Sequence, residues 1–215
     1  INNCVILMVA LCPMLGAVAD WNVVDAGARG DGMTDNTAAF QRMLDAAGTA
    51  GGGVVHVPAG QYRIDGVLTI PRAVTLRGVF NAPPTDRGGR PLQLDGTVLL
   101  AYANRGNPDG PPFIRVGGEM AVVWGVIIHY PEWRQEDVPP VPYPPAIGAD
   151  HVNDVAVLDC LLVNAYEGIH FEWTARFVVR NVFGYPSLRG LFVDTCYDIG
   201  RVENCHFWPF GVAYN

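Results

Sequence analysis

A repeat of about 22 residues in the second half of the chain restricts its possible folds more than any other feature. The hydrophobic residues that keep this spacing, at intervals of 22, 22 and 21 residues, are Ile147, Ile169, Leu191 and Val212. The polar residues that keep it, at intervals of 22 and 23 residues, are Asp159, Asn181 and Asn204. Three short strands and three bends fill such a period, which is one coil of a parallel β-helix whose equivalent strands pair at about 4.8 Å. The repeat therefore predicts an all-β solenoid.

The polar repeat marks one bend of each coil. Asn and Asp tolerate left-handed backbone, and their side chains can hydrogen-bond along a stack of like residues. In this register the strands of two complete coils are predicted at Val155–Leu158, Leu161–Asn164, Gly168–Trp173, Phe177–Arg180, Val182–Gly184 and Gly190–Thr195. Cys160 and Cys205 then occupy the same point of coils that are two apart, which is beyond disulfide reach. Both are predicted to be buried thiols, with Cys196 bonded to neither.

Residues 1–19 are predicted to be an incomplete secretory signal peptide. Residues 4–16 are apolar but too short to span a bilayer, and Ala17-Val18-Ala19 has the form of a signal-peptidase site. The segment has no initiating Met and no basic start, and the chain stops inside a predicted strand. We therefore expect residues 20–215 to be the N-terminal part of a β-helix domain that is truncated at its C-terminus. The predicted location is extracellular or periplasmic, without a membrane partner.

Charge argues against a nucleic-acid partner. The net charge is −7, and the 14 basic residues are all Arg and lie scattered singly along the chain.

One amphipathic helix is predicted before the strands. Phe40, Met43, Leu44 and Ala47 follow helical spacing over residues 37–47. Asp35 or Asn36 is the predicted cap residue, and Gly48 the predicted stop.

The N-terminal sequence resembles the signature of the pectate lyase superfamily. The matching stretches are VVDAGARGDGMTDNTAAFQ from Val23, GGGVVHVPAGQYRI from Gly51 and LTIPRAVTLRG from Leu68. The resemblance implies a single-stranded right-handed parallel β-helix, with the helix at 37–47 capping its N-terminal end. It also implies that a sugar chain lies along the sheet formed by one strand of every coil. We assign that sheet to the strands beginning at Ile147, Gly168, Gly190 and Gly211.

Alternation along these strands predicts which side chains face the sugar. Ile169 and Phe171 are predicted to be buried, whereas His170 and Glu172 face outward. The outward residues at the position of Glu172 in successive coils are Asp150, Glu172, Asp194 and Asn215. Like charges on neighbouring strands repel, so one carboxyl keeps its proton, calcium bridges a pair, or Arg189 or Arg201 lies nearby. The alternative is a solvated acidic surface.

This row predicts a catalytic site. A glycosidase needs one protonated and one ionised carboxyl beside the scissile bond, and Glu172 and Asp194 are the candidate pair. His170 can orient a sugar or share a proton. The predicted substrate-binding residues are Asp150, Asn215, Arg189, Trp133 and Tyr143. The last two lie in a Pro-rich insert, residues 130–145, whose aromatic rings could form a subsite wall.

The sequence therefore predicts an extracellular polysaccharide-degrading enzyme, most simply a glycoside hydrolase. One alternative is a polysaccharide lyase that uses calcium as its cofactor. The other is a carbohydrate-binding β-helix without catalysis, such as an adhesin or a tailspike-like protein.

Overall fold

The computed structural model describes residues 20–81 and 94–208. The predicted signal peptide, Val212 and Asn215 lie outside these residues. No helix among the described residues is long and apolar enough to cross a membrane.

The described chain winds into a solenoid whose strands form three faces, and every strand pair is parallel. Face I contains β1 (Asp20–Asn22), β3 (Gly53–His56), β6 (Val74–Arg77), β9 (Val122–Trp124), the first half of β12 (Ala156–Val163), the first half of β14 (Phe177–Gly184), and β16 (Gly200–Glu203). Face II contains β2 (Asp31–Asp35), β4 (Gly60–Ile64), β7 (Thr97–Ala101), β10 (Ile127–His129), the second halves of β12 and β14, and β17 (His206–Phe207). Face III contains β5 (Leu68–Ile70), β8 (Ile114–Val116), β11 (Ile147–Asp150), β13 (Glu167–Glu172) and β15 (Arg189–Asp194).

The predicted hydrophobic column is present on face III as far as the structure describes it, although Leu191 is only partly buried. Ile147 pairs with Ile169, and Ile169 pairs with Leu191. The column continues toward the N-terminus through Ile114 to Leu68. Ile147 and Ile169 are fully buried, because side chains on the inner face of each coil stack along the axis of the solenoid. The parallel β-helix prediction is confirmed.

The polar repeat forms a stack of bends between faces I and II. Asp159, Asn181 and Asn204 have left-handed φ values of 51°, 53° and 49°. The side-chain amide of Asn181 donates to Asp159 Oδ1 at 2.8 Å, and the side-chain amide of Asn204 donates to Asn181 Oδ1 at 2.6 Å. Trp124 Nε1 extends this ladder by one coil, since it donates to Asp159 Oδ2 at 2.8 Å. The ladder ties each coil to the next at the corner where the chain changes face.

β11 begins at Ile147 as predicted, whereas β13 and β15 begin and end one residue earlier than predicted. Trp173 and Thr195 have φ values of 48° and 53°, and this left-handed backbone ends each strand. Because β13 and β15 start one residue earlier, Glu167 and Arg189 lie on the sheet, directly opposite each other.

The predicted helix is present as α1 (Thr37–Thr49), which follows a 3-10 helix (Val23–Ala26). Its buried face comprises Ala39, Phe40, Leu44 and Ala47. The helix packs against β1, β3, β5 and β6 and thus covers the first coils, as predicted. Gly48 does not end the helix, which continues to Thr49. The positive φ values begin instead at Gly51, with φ 94°, and continue at Gly52, whose φ is 125° and which has no room for a side chain beside the Ala73 carbonyl.

Asp35, and not Asn36, supplies the capping side chain of α1. Asp35 Oδ1 accepts hydrogen bonds from the Thr37 amide at 3.0 Å and from the Thr37 hydroxyl at 2.6 Å. Asn36 is buried and makes a different connection: its Oδ1 accepts from the Arg29 amide at 2.7 Å, while its side-chain amide donates to the Thr34 carbonyl at 2.6 Å. Asn36 therefore fixes the loop before the helix.

The described cysteines are free thiols, as predicted. Cys160 is buried, but Cys205 is only partly buried. Burial raises the pKa of the Cys160 thiol to about 12.

We expect Asn181→Ala to destabilise the protein by about 2–4 kcal/mol, because Ala is strained in left-handed backbone and the ladder loses two hydrogen bonds. Asn181→Gly is the matched control: it loses the same hydrogen bonds without the strain and should cost about 1–2 kcal/mol. Denaturant unfolding measures both changes. Equal stabilities of the two variants would show that the left-handed bend contributes nothing.

We expect Cys160 to resist alkylation by iodoacetamide in the native protein, since its thiol is buried and protonated at neutral pH. Cys196 should be modified faster, because it is partly exposed. Peptide mass mapping of native and urea-unfolded samples gives the rates, which should become similar after unfolding. A disulfide between Cys160 and Cys205 would contradict the coil register.

Candidate functional site

A groove of about 640 Å³ runs along the outer surface of face III. Its floor is formed by residues of β8, β11, β13 and β15, and one wall is formed by residues 108–112 together with Pro145. The charged residues that line it are Asp109, Arg115, Asp150, Glu167, Glu172 and Arg189, and His170 and Tyr166 lie among them. The predicted sugar-binding sheet is thus the one that carries the groove.

Pro112 overhangs the floor of the groove at Gly148. A side chain at Gly148 would collide with the Pro112 ring, so this close approach requires glycine. The contact fixes the loop between β7 and β8 against the sheet. It thereby sets the position of the wall.

Strand pairing places the predicted acidic residues in one row. Asp150 lies opposite Glu172, and Glu172 lies opposite Asp194. All three side chains are exposed. His151 Nδ1 contacts Asp150 Oδ1, and the Thr195 hydroxyl donates to Asp194 Oδ1 at 3.1 Å. Asn215, the predicted fourth member, lies outside the described residues.

A second set of charges lies at the opposite end of the same strands. Arg189 donates to both oxygens of Glu167, from Nε at 2.7 Å and from Nη2 at 3.2 Å. His170 Nδ1 lies 3.0 Å from Glu167 Oε1. The Glu167 side chain is only 8% exposed, so this carboxylate is held between two nitrogen partners largely away from water. Arg189 therefore does not relieve the acidic row, as the sequence had suggested it could.

Arg115 is a groove residue that the sequence analysis missed. It lies at the outward position of β8, directly opposite Gly148, and its side chain is exposed. It has no hydrogen bond or ion pair with any residue that the structure describes, so its charge is available to a ligand. The sequence feature that could have identified Arg115 is its position between the inward residues Ile114 and Val116. The sequence spacing does not show that Arg115 and Gly148 are neighbours, because 33 residues separate them and the 22-residue repeat is interrupted in this part of the chain.

The Pro-rich insert contributes less to the groove than predicted. Tyr143 is 3% exposed, and its ring packs against Tyr130 with centroids 4.8 Å apart. It is therefore a packing residue and does not offer its ring to a sugar. Trp133 is partly buried and does not line the groove, where the insert supplies only Pro145.

An aromatic residue that was not predicted to belong to the site lies just beyond the acidic row. Trp173 is 47% exposed and follows Glu172 directly. Its ring stacks on His151 with centroids 5.5 Å apart.

Within residues 20–81 and 94–208, no group of three or more His, Cys, Asp and Glu side chains lies close enough together to hold a metal ion. The calcium-dependent lyase stays a prediction from the sequence.

A three-faced parallel solenoid with an N-terminal helical cap and a charged groove along one face is characteristic of pectin-lyase-like proteins. The family model for rhamnogalacturonase A/epimerase, pectate lyase-like, matches residues 21–99. The chain has the right-handed parallel β-helix fold, and its N-terminal part is similar to the pectate lyase superfamily.

Two solved structures share this fold. The A-module of mannuronan C5-epimerase AlgE6 from Azotobacter vinelandii superposes with a TM-score of 0.54 at 19% identity, covering 88% of this chain and 56% of that one. An exopolygalacturonase from Thermotoga maritima gives a TM-score of 0.57 at 15% identity, covering 86% and 54% of the two chains.

A sequence relative is mannuronan C5-epimerase AlgE1 of Azotobacter vinelandii, which is 52% identical over 210 residues. The match covers 91% of this chain but only 14% of that protein.

We expect Gly148→Ala to destabilise the protein by about 1–3 kcal/mol, because the added methyl group overpacks the contact with Pro112. A double-mutant cycle with Pro112→Gly tests this cause. The cost of Gly148→Ala, measured by denaturant unfolding, should be much smaller in the Pro112→Gly background. An equal cost in both backgrounds would contradict the proposed contact.

Proposed function

We propose that this chain is part of an extracellular enzyme that binds a uronate polysaccharide in the face III groove and inverts its sugars at C5. The protein family and the groove together support a polysaccharide as the substrate. The observation that carries the reaction type is the free cation Arg115 on a groove floor that also holds His170 and carboxylates. The Azotobacter relative, a mannuronan C5-epimerase, supports the same choice.

The chemistry of epimerisation explains why a cation matters. Removal of the C5 proton leaves an electron pair that delocalises into the neighbouring carboxylate, which then carries additional negative charge. A second group returns a proton to the opposite face, so the sugar loses one proton and gains one. Catalysis therefore requires a positive group at the carboxylate and acid–base groups near C5.

Arg115 is the residue that best fits the positive group. Its guanidinium is exposed and free of partners among the described residues, whereas Arg189 already bonds Glu167 through two nitrogens. A guanidinium binds a carboxylate with two parallel hydrogen bonds, which would orient the sugar as well as stabilise the charge.

His170 and Glu172 are the proposed proton-transfer groups. Both face the groove from β13, two residues apart. An imidazole can take up or release a proton near neutral pH, which suits a reversible transfer at carbon. Asp150 and Asp194 would then flank the bound chain.

Glycoside hydrolysis is the second candidate function, favoured by one observation. Glu172 and Asp194 lie opposite each other on adjacent strands. Paired strands are about 4.8 Å apart, close to the carboxyl separation of about 5–5.5 Å in retaining glycosidases. A lyase would share the first step of epimerisation and then expel the oxygen at C4.

One experiment separates these reactions. The full-length protein that contains this chain is incubated with polymannuronate in deuterated water, and the products are followed by NMR. Epimerisation incorporates deuterium at C5 without shortening the polymer. Unsaturated ends indicate a lyase, new reducing ends without unsaturation indicate a hydrolase, and an unchanged polymer contradicts the proposal for this substrate.

We expect Arg115→Gln to lower kcat/KM on the uronate polymer about 10- to 100-fold, because it removes a charge-assisted contact worth about 1.5–3 kcal/mol. Arg115→Lys should recover part of the loss, since it keeps the charge. Arg72→Gln is the matched control: Arg72 is exposed, pairs only loosely with Glu119 at 3.9 Å and does not line the groove. Wild-type rates in Arg115→Gln would refute its role.

A further inference from the structure

The buried carboxylate of Glu167 is the charged group that most directly controls another groove residue. Its Oε1 accepts from Arg189 Nε at 2.7 Å and lies 3.0 Å from His170 Nδ1. The three side chains come from two adjacent strands, and Glu167 lies opposite Arg189 in the register. This arrangement joins a cation, an anion and an imidazole across two coils.

The arrangement also fixes the imidazole ring. Glu167 occupies Nδ1 on one side, and the Phe192 ring packs edge-on with its centroid 4.7 Å from that of His170. A carboxylate at Nδ1 favours the tautomer that carries its proton there. The other nitrogen, Nε2, is then the one that can accept a proton from a ligand.

Arg189 holds the Glu167 carboxylate in place. The guanidinium donates to both carboxylate oxygens, which is a bidentate, charge-assisted contact. Its central carbon also lies 4.2 Å from the centroid of Phe192, so the same ring packs against both partners of Glu167. Arg189 is thus an anchor within the site.

We propose that Glu167 is a positioning residue that fixes His170 as the proton-transfer group of the groove, with Arg189 holding Glu167 in place. The catalytic part of this inference rests on the proposed function, whereas the control of His170 does not. In the proposed reaction the C5–H bond breaks, its electron pair stays on the sugar, and the proton moves to Nε2. The resulting imidazolium is stabilised by the Glu167 carboxylate.

Other titratable groups around His170 are Glu172 on its own strand, Arg115 and Asp150 on β8 and β11, and the neighbouring residues Asp109 and Tyr166. Glu167 should dominate over them, because it is in direct contact and less exposed than these groups. Loss of its negative charge destabilises the imidazolium and lowers the pKa of His170. Loss of the positive charge of Arg189 acts in the opposite direction.

The test measures His170 without any substrate. Diethyl pyrocarbonate modifies neutral imidazole, so peptide mass mapping of the full-length protein across pH yields the apparent pKa of His170. In Glu167→Gln we expect modification about fivefold faster than in wild type at one pH unit below the wild-type pKa, which corresponds to a pKa lowered by about one unit. Glu167→Asp keeps the charge and should restore part of the difference, and Arg189→Gln should slow modification at the same pH.

Glu119→Gln is the control for net charge, because Glu119 is exposed and outside the groove. It should leave the His170 curve unchanged, and circular dichroism checks the folding of each variant. If Glu167→Gln does not fold, the opposite shift expected in Arg189→Gln still tests the inference. Superimposable curves for wild type and the folded Glu167 or Arg189 variants would overturn it.

Activity provides the second readout. If the protein epimerises a uronate polymer, Glu167→Gln should shift the acidic limb of its pH–rate profile to lower pH, in step with the modification curve. A shifted modification curve in a protein without epimerase activity would retain the positioning role and remove the proposed function. An unshifted modification curve in a protein that has epimerase activity would retain the proposed function and remove the positioning role.

Discussion

Parallel pairing of each strand with its equivalent one coil later is the interaction on which the rest of this structure depends. The pairing works only if successive coils place the same residue at the same corner, and the left-handed bends at Asp159, Asn181 and Asn204 do this. Their side chains bond to one another along the stack, so each bend fixes the register of the next coil. A one-residue slip would turn every inward side chain outward.

This strand register determines the geometry of the groove. Residues that are 22 positions apart become neighbours across strands, which is why Glu167 meets Arg189 and Glu172 meets Asp194. The two pairs differ in charge and environment. Glu167 and Arg189 neutralise each other in a contact whose carboxylate is buried, whereas Glu172 and Asp194 are exposed and repel. One end of face III therefore carries a neutralised ion pair, the other end carries the acidic row, and His170 lies between them.

This distribution changes the view of the possible substrate. The predicted row of carboxylates makes this surface acidic, and an acidic groove by itself repels a uronate polymer. The structure places Arg115 on the groove floor with no partner among the described residues, so a single free cation is available where a sugar chain would lie. In the proposed complex, Arg115 would neutralise a carboxylate of the anionic polymer, and the acidic row would face other parts of the sugar.

The sequence by itself determined the solenoid, the helix, the bend residues and the outward position of Glu172 and Asp194, because all of these follow from periodic local patterns. The capping role of the helix was implied by the resemblance to the pectate lyase superfamily. Only the tertiary structure decided what the irregular segments do. Arg115 joined the groove, Tyr143 was buried, and residues 108–112 formed the wall. The reason is physical: an insertion breaks the repeat, and contacts between residues separated by inserted loops are set by packing against the coil, which no local spacing records.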